Sequence, residues 1–275
     1  MTQGFHCGRY VLDVRRPLVM GIVNLTDDSF SGDGLRDDPA AAIAQGKRLV
    51  DEGADLLDLG AESSRPGAPP IAAAQEVERL LPVIDGLLDC GVPLSVDTTK
   101  PEVMRTVLAV GADMINDILA LQTPGAMEAV AGSSAGVCLM HMQGRPQTMQ
   151  IAPHYVDVVS EVGDFLRSRV AATQAAGIAA ERICIDPGFG FGKTVEHNLT
   201  LLRRLDELAV SGFPLLVGLS RKSLLGALTG RAAAERMHAG IAAQVLAVMR
   251  GARILRVHDV AATRDALVVV QAVEG

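Results

Sequence analysis

Leu18-Val-Met-Gly-Ile-Val-Asn-Leu25 stays apolar from end to end and does not alternate with polar residues. A short run of this kind reads as a strand buried on both faces. The next periodic stretch, Pro39–Glu52, is rich in Ala and has the spacing of an amphipathic helix. The same pair recurs along the chain. Further strands are predicted at Asp55–Leu59, Val92–Asp97, Asp113–Ile118, Gly136–His141, Arg182–Asp186, Pro214–Leu219 and Arg253–His258. Further helices are predicted at Ala74–Asp89, Pro101–Val110, Tyr155–Ala176, Val195–Leu208, His238–Arg250 and Ala261–Ala272. Strands alternating with helices imply a parallel sheet, covered on its outer face. Eight such strands fit a closed (β/α)8 TIM barrel better than an open sheet, because an open sheet would leave two edge strands to protect and closure leaves none. The expected organisation is α/β, one domain over residues 1–275 with a short N-terminal extension at 1–16.

Composition agrees with a large core. Hydrophobic residues make up 49% of the chain while aromatics are 3% and Trp is absent, so Leu, Val, Ile, Ala and Met must fill the interior. A net charge of −7 argues against a nucleic-acid partner, which needs a basic surface, but leaves room for a small anionic substrate. Cys7, Cys90, Cys138 and Cys184 are scattered without zinc spacing and read as reduced thiols of a cytoplasmic protein. Met1–Arg16 has no long apolar core, so no signal peptide is expected, and no run is long enough to span a membrane.

Function is legible at the strand ends. Asn24, Glu62, Asp97, Asn116, His141, Asp186, Ser220 and His258 are polar and fall at or just after them. In a barrel these ends converge on one face, where catalytic groups gather. The bland alternative is helix capping, and Asp97 ahead of Pro101 could be only a cap. Gly188-Phe-Gly-Phe-Gly-Lys-Thr194 imitates a phosphate-binding loop, but Pro187 occupies the place of that motif's first Gly. His141, His154, His197 and His238 lack metal spacing and read as structural.

The texts around these ends resemble the dihydropteroate synthase family. The stretches that carry the resemblance are Met20-Gly-Ile-Val-Asn-Leu-Thr-Asp-Asp-Ser-Phe-Ser31, Asp58-Leu-Gly-Ala-Glu-Ser-Ser-Arg-Pro-Gly67 and Ser95-Val-Asp-Thr-Thr-Lys100. They continue with Ile115-Asn-Asp-Ile118, Leu139-Met-His-Met-Gln-Gly144, Asp186-Pro-Gly-Phe-Gly-Phe-Gly-Lys193, Ser220-Arg-Lys-Ser223 and Arg256-Val-His-Asp259, in order over residues 17–260. The resemblance implies transfer of a dihydropterin-6-ylmethyl group from its pyrophosphate to 4-aminobenzoate. It implies a pterin held by Asp97, Asn116, Asp186 and Lys222, with Asp97 and Lys222 acting in catalysis. Pyrophosphate would meet Asn24, Ser64, Arg65, Arg256 and His258. A magnesium ion would sit on Asn24. The 4-aminobenzoate would meet Thr26, Phe30, Pro66, Phe191 and Ser220. The resemblance also implies a homodimer.

Physical chemistry supports these assignments. A carboxylate such as Asp186 matches adjacent N–H donors on the pterin edge. Arg256 and His258, two apart on a strand, share a face, and Arg grips phosphate as a fork. Magnesium takes few protein ligands beside phosphate oxygens. Asp97 would stabilise the cation left when pyrophosphate departs.

The sequence departs from the family pattern at Asp27 in place of Pro, at Ala61 and Ser64 in place of Gly and Thr, and at the order Gly32-Asp33-Gly34. The loops Thr26–Gly34 and Ser63–Pro69 are expected to be mobile and to close on pyrophosphate before 4-aminobenzoate binds. Three rival readings stay open: a folate-dependent methyltransferase, an aldolase using Lys222, and a non-catalytic pterin-binding paralogue.

Overall fold

The computed structural model describes residues 4–26, 38–63, 68–209 and 211–274. Asp27, Phe30, Ser64, Arg65 and Pro66, with most of both expected loops, lie outside them.

Eight parallel strands form one sheet: β3 (Leu18–Asn24), β4 (Leu56–Gly60), β5 (Leu94–Asp97), β6 (Met114–Asp117), β7 (Gly136–Met140), β8 (Ile183–Asp186), β9 (Leu216–Val217) and β10 (Ile254–Val257). They pair in chain order from β3 to β8, and β10 lies between β9 and β3. A parallel bridge from Ile185 to Leu215, with Ile185 N–H donating to the Pro214 carbonyl at 3.0 Å, joins β8 to β9 and closes the barrel. The expected barrel is therefore present. Its seventh strand is shorter than the predicted Pro214–Leu219, and Pro214 has no N–H to lengthen the ladder.

Side chains along each strand alternate between two destinations. Outward-facing Val19, Leu57, Leu59, Val96, Ile115, Val137, Ile185, Val217 and Leu255 join the large core beneath the helices. Those helices are α1 (Pro39–Asp51), α2 (Ala73–Leu87), α3 (Pro101–Ala109), α4 (Ala126–Ala131), α5 (Val158–Ala175), α6 (Val195–Arg203), α7 (Asp206–Ala209), α8 (Ser223–Thr229), α9 (Met237–Val248) and α10 (Val260–Glu274). The first turn of α5 is fixed by Asp157, which accepts from Val159 N at 2.9 Å and Ser160 N at 3.0 Å, so the helix starts three residues after the predicted Tyr155. The predicted helix Val195–Leu208 is divided at Arg204, which leaves the helical conformation and forks onto Glu207 while also reaching Asp157. No described helix is long and apolar enough to cross a membrane.

The N-terminal stretch is more than an extension. β1 (Gly4–Cys7) and β2 (Tyr10–Asp13) form an antiparallel hairpin across the N-terminal mouth of the barrel. Phe5 and Cys7 are fully buried against inward-facing Leu18, Met20, Leu56, Met114, Cys138, Cys184, Leu216 and Ile254. Arg9 straps the hairpin down, pairing with both oxygens of Asp113 at 3.1 and 3.2 Å.

Candidate active site

Two residues further along several strands, the inward layer changes chemistry. Leu56 gives way to Asp58, Met114 to Asn116, Cys184 to Asp186 and Ile254 to Arg256. The two-residue period of a strand keeps all of these on the inner face. Ladder register places Asp58 beside Ser95 and Asp97 beside Asn116.

Asp58 is the hub. It is fully buried and accepts from Ser95 Oγ at 2.6 Å, Asn116 Nδ2 at 3.2 Å and Arg256 Nε at 2.6 Å. The same guanidinium reaches Asp97 Oδ2 at 3.2 Å. Asp97 therefore faces the barrel interior and is not a helix cap, since the N-cap of α3 is Lys100. Burial pushes the Asp97 carboxyl well above the usual carboxylate range, and the negative charges of Asp58 and Glu76 add to this against the pull of Arg256.

Asp186 ends β8. Its Oδ1 accepts from Gly188 N at 2.7 Å, which fixes the carboxylate plane and turns the chain into the next loop. Burial raises this carboxyl to about 6 against the Gly188 N–H and the positive charges of Lys222, Lys193 and Arg256. Lys222 is pulled down to about 8 by burial and by Arg256, with Asp186 and Asp97 opposing. Its ammonium lies 4.3 Å from the centre of the Phe191 ring. That pairing brings together two residues assigned to different ligands, and places the ammonium over the ring expected to stack on 4-aminobenzoate.

The remaining assigned residues follow the same convergence. Ser220 lies between β9 and α8, and its Oγ lies 3.0 Å from His258 Nδ1 and accepts from His258 N at 3.3 Å. This ties the expected 4-aminobenzoate and pyrophosphate contacts together. Asn24 stands half-buried at the end of β3, its side-chain amide making no hydrogen bond among the described residues, with Thr26 buried two residues on. The described residues contain no cluster of three His, Cys, Asp or Glu fit to hold a metal. Asn24 offers one neutral amide oxygen there, the kind of single protein ligand that a magnesium ion takes beside phosphate and water oxygens.

Glu62 turns away from this centre. It joins Lys100 at 2.7 Å and accepts from Ile71 N at 3.1 Å, bracing the base of the second loop. Strand ends alone give Asp58 no role, although a charge in the middle of the apolar run Leu56–Gly60 already demands an inward partner. Lys193, which the sequence places in a false phosphate loop, is also buried.

The pterin-binding enzyme family model matches residues 20–258, all but the ends of the chain. The dihydropteroate synthase of Neisseria meningitidis serogroup C is 51% identical over 268 residues, covering 96% of this chain and 95% of that protein. This chain belongs to the dihydropteroate synthase family. Solved structures of family members agree over the whole fold. The Xanthomonas albilineans enzyme with 4-aminobenzoic acid has a TM-score of 0.93 and 52% identity, covering 100% of this chain and 99% of that one. The Burkholderia cenocepacia enzyme with 7,8-dihydropteroate has a TM-score of 0.91 and 50% identity, covering 98% and 96%. With its family, the chain is an enzyme of the transferase class.

Proposed function

We propose that this chain transfers the 7,8-dihydropterin-6-ylmethyl group from its pyrophosphate to 4-aminobenzoate, releasing pyrophosphate. The observation that carries this reading is the inner polar layer of Asp58, Asn116, Asp186 and Arg256, with Asp97 and Lys222 at its rim. It offers carboxylate and amide groups to a flat donor–acceptor edge and cations beside it. The Xanthomonas and Burkholderia relatives are solved with 4-aminobenzoic acid and 7,8-dihydropteroate, the second substrate and the product of this reaction.

The pterin lies over this layer. Asp186 accepts from its amino and ring N–H groups with the oxygen not committed to Gly188, Asn116 meets further ring nitrogens, and Lys222 donates to the pterin carbonyl. Arg256, held by Asp58 and Asp97, and His258, held by Ser220, take the pyrophosphate, to which the family resemblance adds Ser64 and Arg65. Asn24 would hold a magnesium ion, whose charge eases departure of the leaving group. The carbon–oxygen bond breaks first and pyrophosphate keeps the electron pair. The carboxylate of Asp97 stabilises the resulting methylene cation. The neutral aniline nitrogen then attacks that carbon and sheds a proton, so no covalent enzyme intermediate is needed. The benzoate ring is assigned to Phe191, Thr26 and Ser220, with Phe30 and Pro66 added by the family resemblance alone.

The test is pyrophosphate release from the pterin pyrophosphate, with and without 4-aminobenzoate and with magnesium or a chelator. Release that depends on magnesium and is matched by dihydropteroate when 4-aminobenzoate is present supports the assignment. Tight binding without release would identify a non-catalytic pterin binder. The exposed apolar residues Leu246, Met249, Val268, Val269 and Val273 on or beside α9 and α10 support a homodimer through this helical face. A monomeric sedimentation coefficient at micromolar concentration would exclude it.

A further inference from the structure

The loop from Pro187 to Thr194 links β8 to α6 and carries Phe191. Its backbone is forced into unusual shapes. Gly188, Gly190 and Gly192 all have positive φ, at 68°, 80° and 61°. A Cβ on Gly188 would lie 1.9 Å from the His141 carbonyl oxygen, and one on Gly192 would lie 2.4 Å from that of Gln143. The loop is thus pressed flat against the β7–α5 connection, where only glycine fits.

Lys193 closes this loop from within. The residue is 3% exposed, and its ammonium has three partners: the Gly188 carbonyl at 3.0 Å, the Phe191 carbonyl at 3.0 Å and His141 Nδ1 at 2.9 Å. An ammonium has three N–H donors, so two carbonyls and an imidazole acceptor satisfy it completely. The imidazole suits that role, since burial and the neighbouring Lys193 hold its basicity far down, at about 3. The two carbonyls bracket the part of the loop that matters. Gly188 donates its N–H to Asp186, and Phe191 carries the ring beneath the Lys222 ammonium. Tyr155 Oη donates to the Gly192 carbonyl at 2.8 Å, and Gly190 N donates to Asn198 Oδ1 at 2.8 Å, but neither holds Phe191 itself.

We propose that Lys193 is a positioning residue for the second substrate: by bonding the carbonyls of Gly188 and Phe191 together with His141 Nδ1, it fixes the peptide that carries the Phe191 ring, against which the benzoate ring packs. The inference rests on the function proposed above. It assigns Lys193 no contact with either substrate. Losing the ammonium should loosen the Phe191 peptide, which then keeps only its N–H bond to the Gly188 carbonyl at 3.1 Å, while leaving β8 and the Asp186 carboxylate in place.

The experiment is steady-state kinetics of the full-length enzyme with Lys193→Met, which keeps an unbranched stem and removes every donor. Lys193→Gln, which retains two N–H donors on a shorter stem, replaces it if the Met variant does not fold. The expected result is a KM for 4-aminobenzoate raised at least tenfold, with kcat and the KM for pterin pyrophosphate each changed less than threefold. Calorimetry with the pterin alone should give parental affinity. Unchanged KM values, a parallel rise of both, or a fall in kcat alone would each overturn the proposal, because a merely structural lysine lowers the active fraction without singling out one substrate. A parental enzyme that forms no pteroate would instead overturn the function on which the proposal rests, and that control is run first.

Discussion

The two ends of the barrel are built from the same strands and bury their inward side chains for opposite reasons. At the N-terminal end Met20, Leu56, Met114, Cys138, Cys184, Leu216 and Ile254 make an apolar plug, sealed by Phe5 and Cys7 of the hairpin. At the other end Asp58, Asn116 and Asp186 are buried, with Arg256 partly buried against them. The first arrangement is stabilised by removal of apolar area from water. The second gains little stability, because desolvating paired charges offsets most of their attraction. Its value lies in pre-orienting groups that a flat, charged ligand will use. Stability and function are thus divided along the barrel axis, and substitutions at the two ends should separate them.

The sharpest separation is Phe5→Ala. Truncating a fully buried aromatic typically costs ~3–5 kcal/mol, and Phe5 has no accessible surface. Chemical denaturation should show that loss, while kcat/KM per folded molecule stays within a factor of two. A large fall in specific activity would mean that the plug also shapes the site. At the opposite end, Arg256→Ala leaves Asp58 buried without its counter-charge. A loss of ~3 kcal/mol in stability is expected from breaking such a pair. Unlike Phe5→Ala, it should also weaken pyrophosphate-bearing ligands far more than the pterin alcohol. Equal losses for both ligands in calorimetry would reduce Arg256 to a structural partner of Asp58.

Asp186→Asn should leave the fold intact and remove ~1.5–3 kcal/mol of pterin affinity, since a charged acceptor becomes a donor facing donors. It carries a pH signature as well. The carboxyl sits at about 6 when folded and near 3.8 when unfolded. Both states hold the proton below pH ~4, only the folded state holds it between ~4 and ~6, and neither does above. This group therefore makes the free enzyme less stable as pH rises through that window, by ~2–3 kcal/mol. Asp186→Asn should flatten the slope, and parental pterin affinity should fall as pH drops below about 6 while that of the variant does not. Equal slopes in parent and variant would remove Asp186 as their origin. The smallest effect expected is for Arg9→Ala. Its side chain is half-exposed and Asp113 keeps the backbone N–H groups of residue 9 and Leu94, so losing the guanidinium should cost only ~1 kcal/mol, with unchanged kinetics. A loss several times larger in thermal or chemical denaturation would show that the strap governs docking of the whole hairpin.

Much of the catalytic end is readable in the sequence because it obeys local rules. Continuous apolar strands imply the barrel, and polar residues at their ends point to Asp97, Asn116, Asp186, Ser220 and His258 as neighbours. The hairpin is not readable: Phe5 and Cys7 lie in a short stretch mixed with charge, and only docking against the strand starts makes them core. Asp97 reads equally well as a cap until β5 turns it toward Arg256, 159 residues away in the chain.

Strand period, helix spacing and the strand-end residue types are properties of adjacent residues, and the sequence by itself determined them here. Which polar groups partner one another was decided by closure of the barrel. Asp58 meets Arg256 across 198 residues, and Lys193 meets His141 across 52. Such pairings depend on ladder register and on loops folded through positive φ, and no local pattern encodes a distance between side chains so far apart in the chain. Lys193 resembles part of a false phosphate loop because its neighbours in sequence are glycines. Its ammonium meets the carbonyls of Gly188 and Phe191 and the His141 ring within 3.0 Å only because the same glycines fold the loop through positive φ.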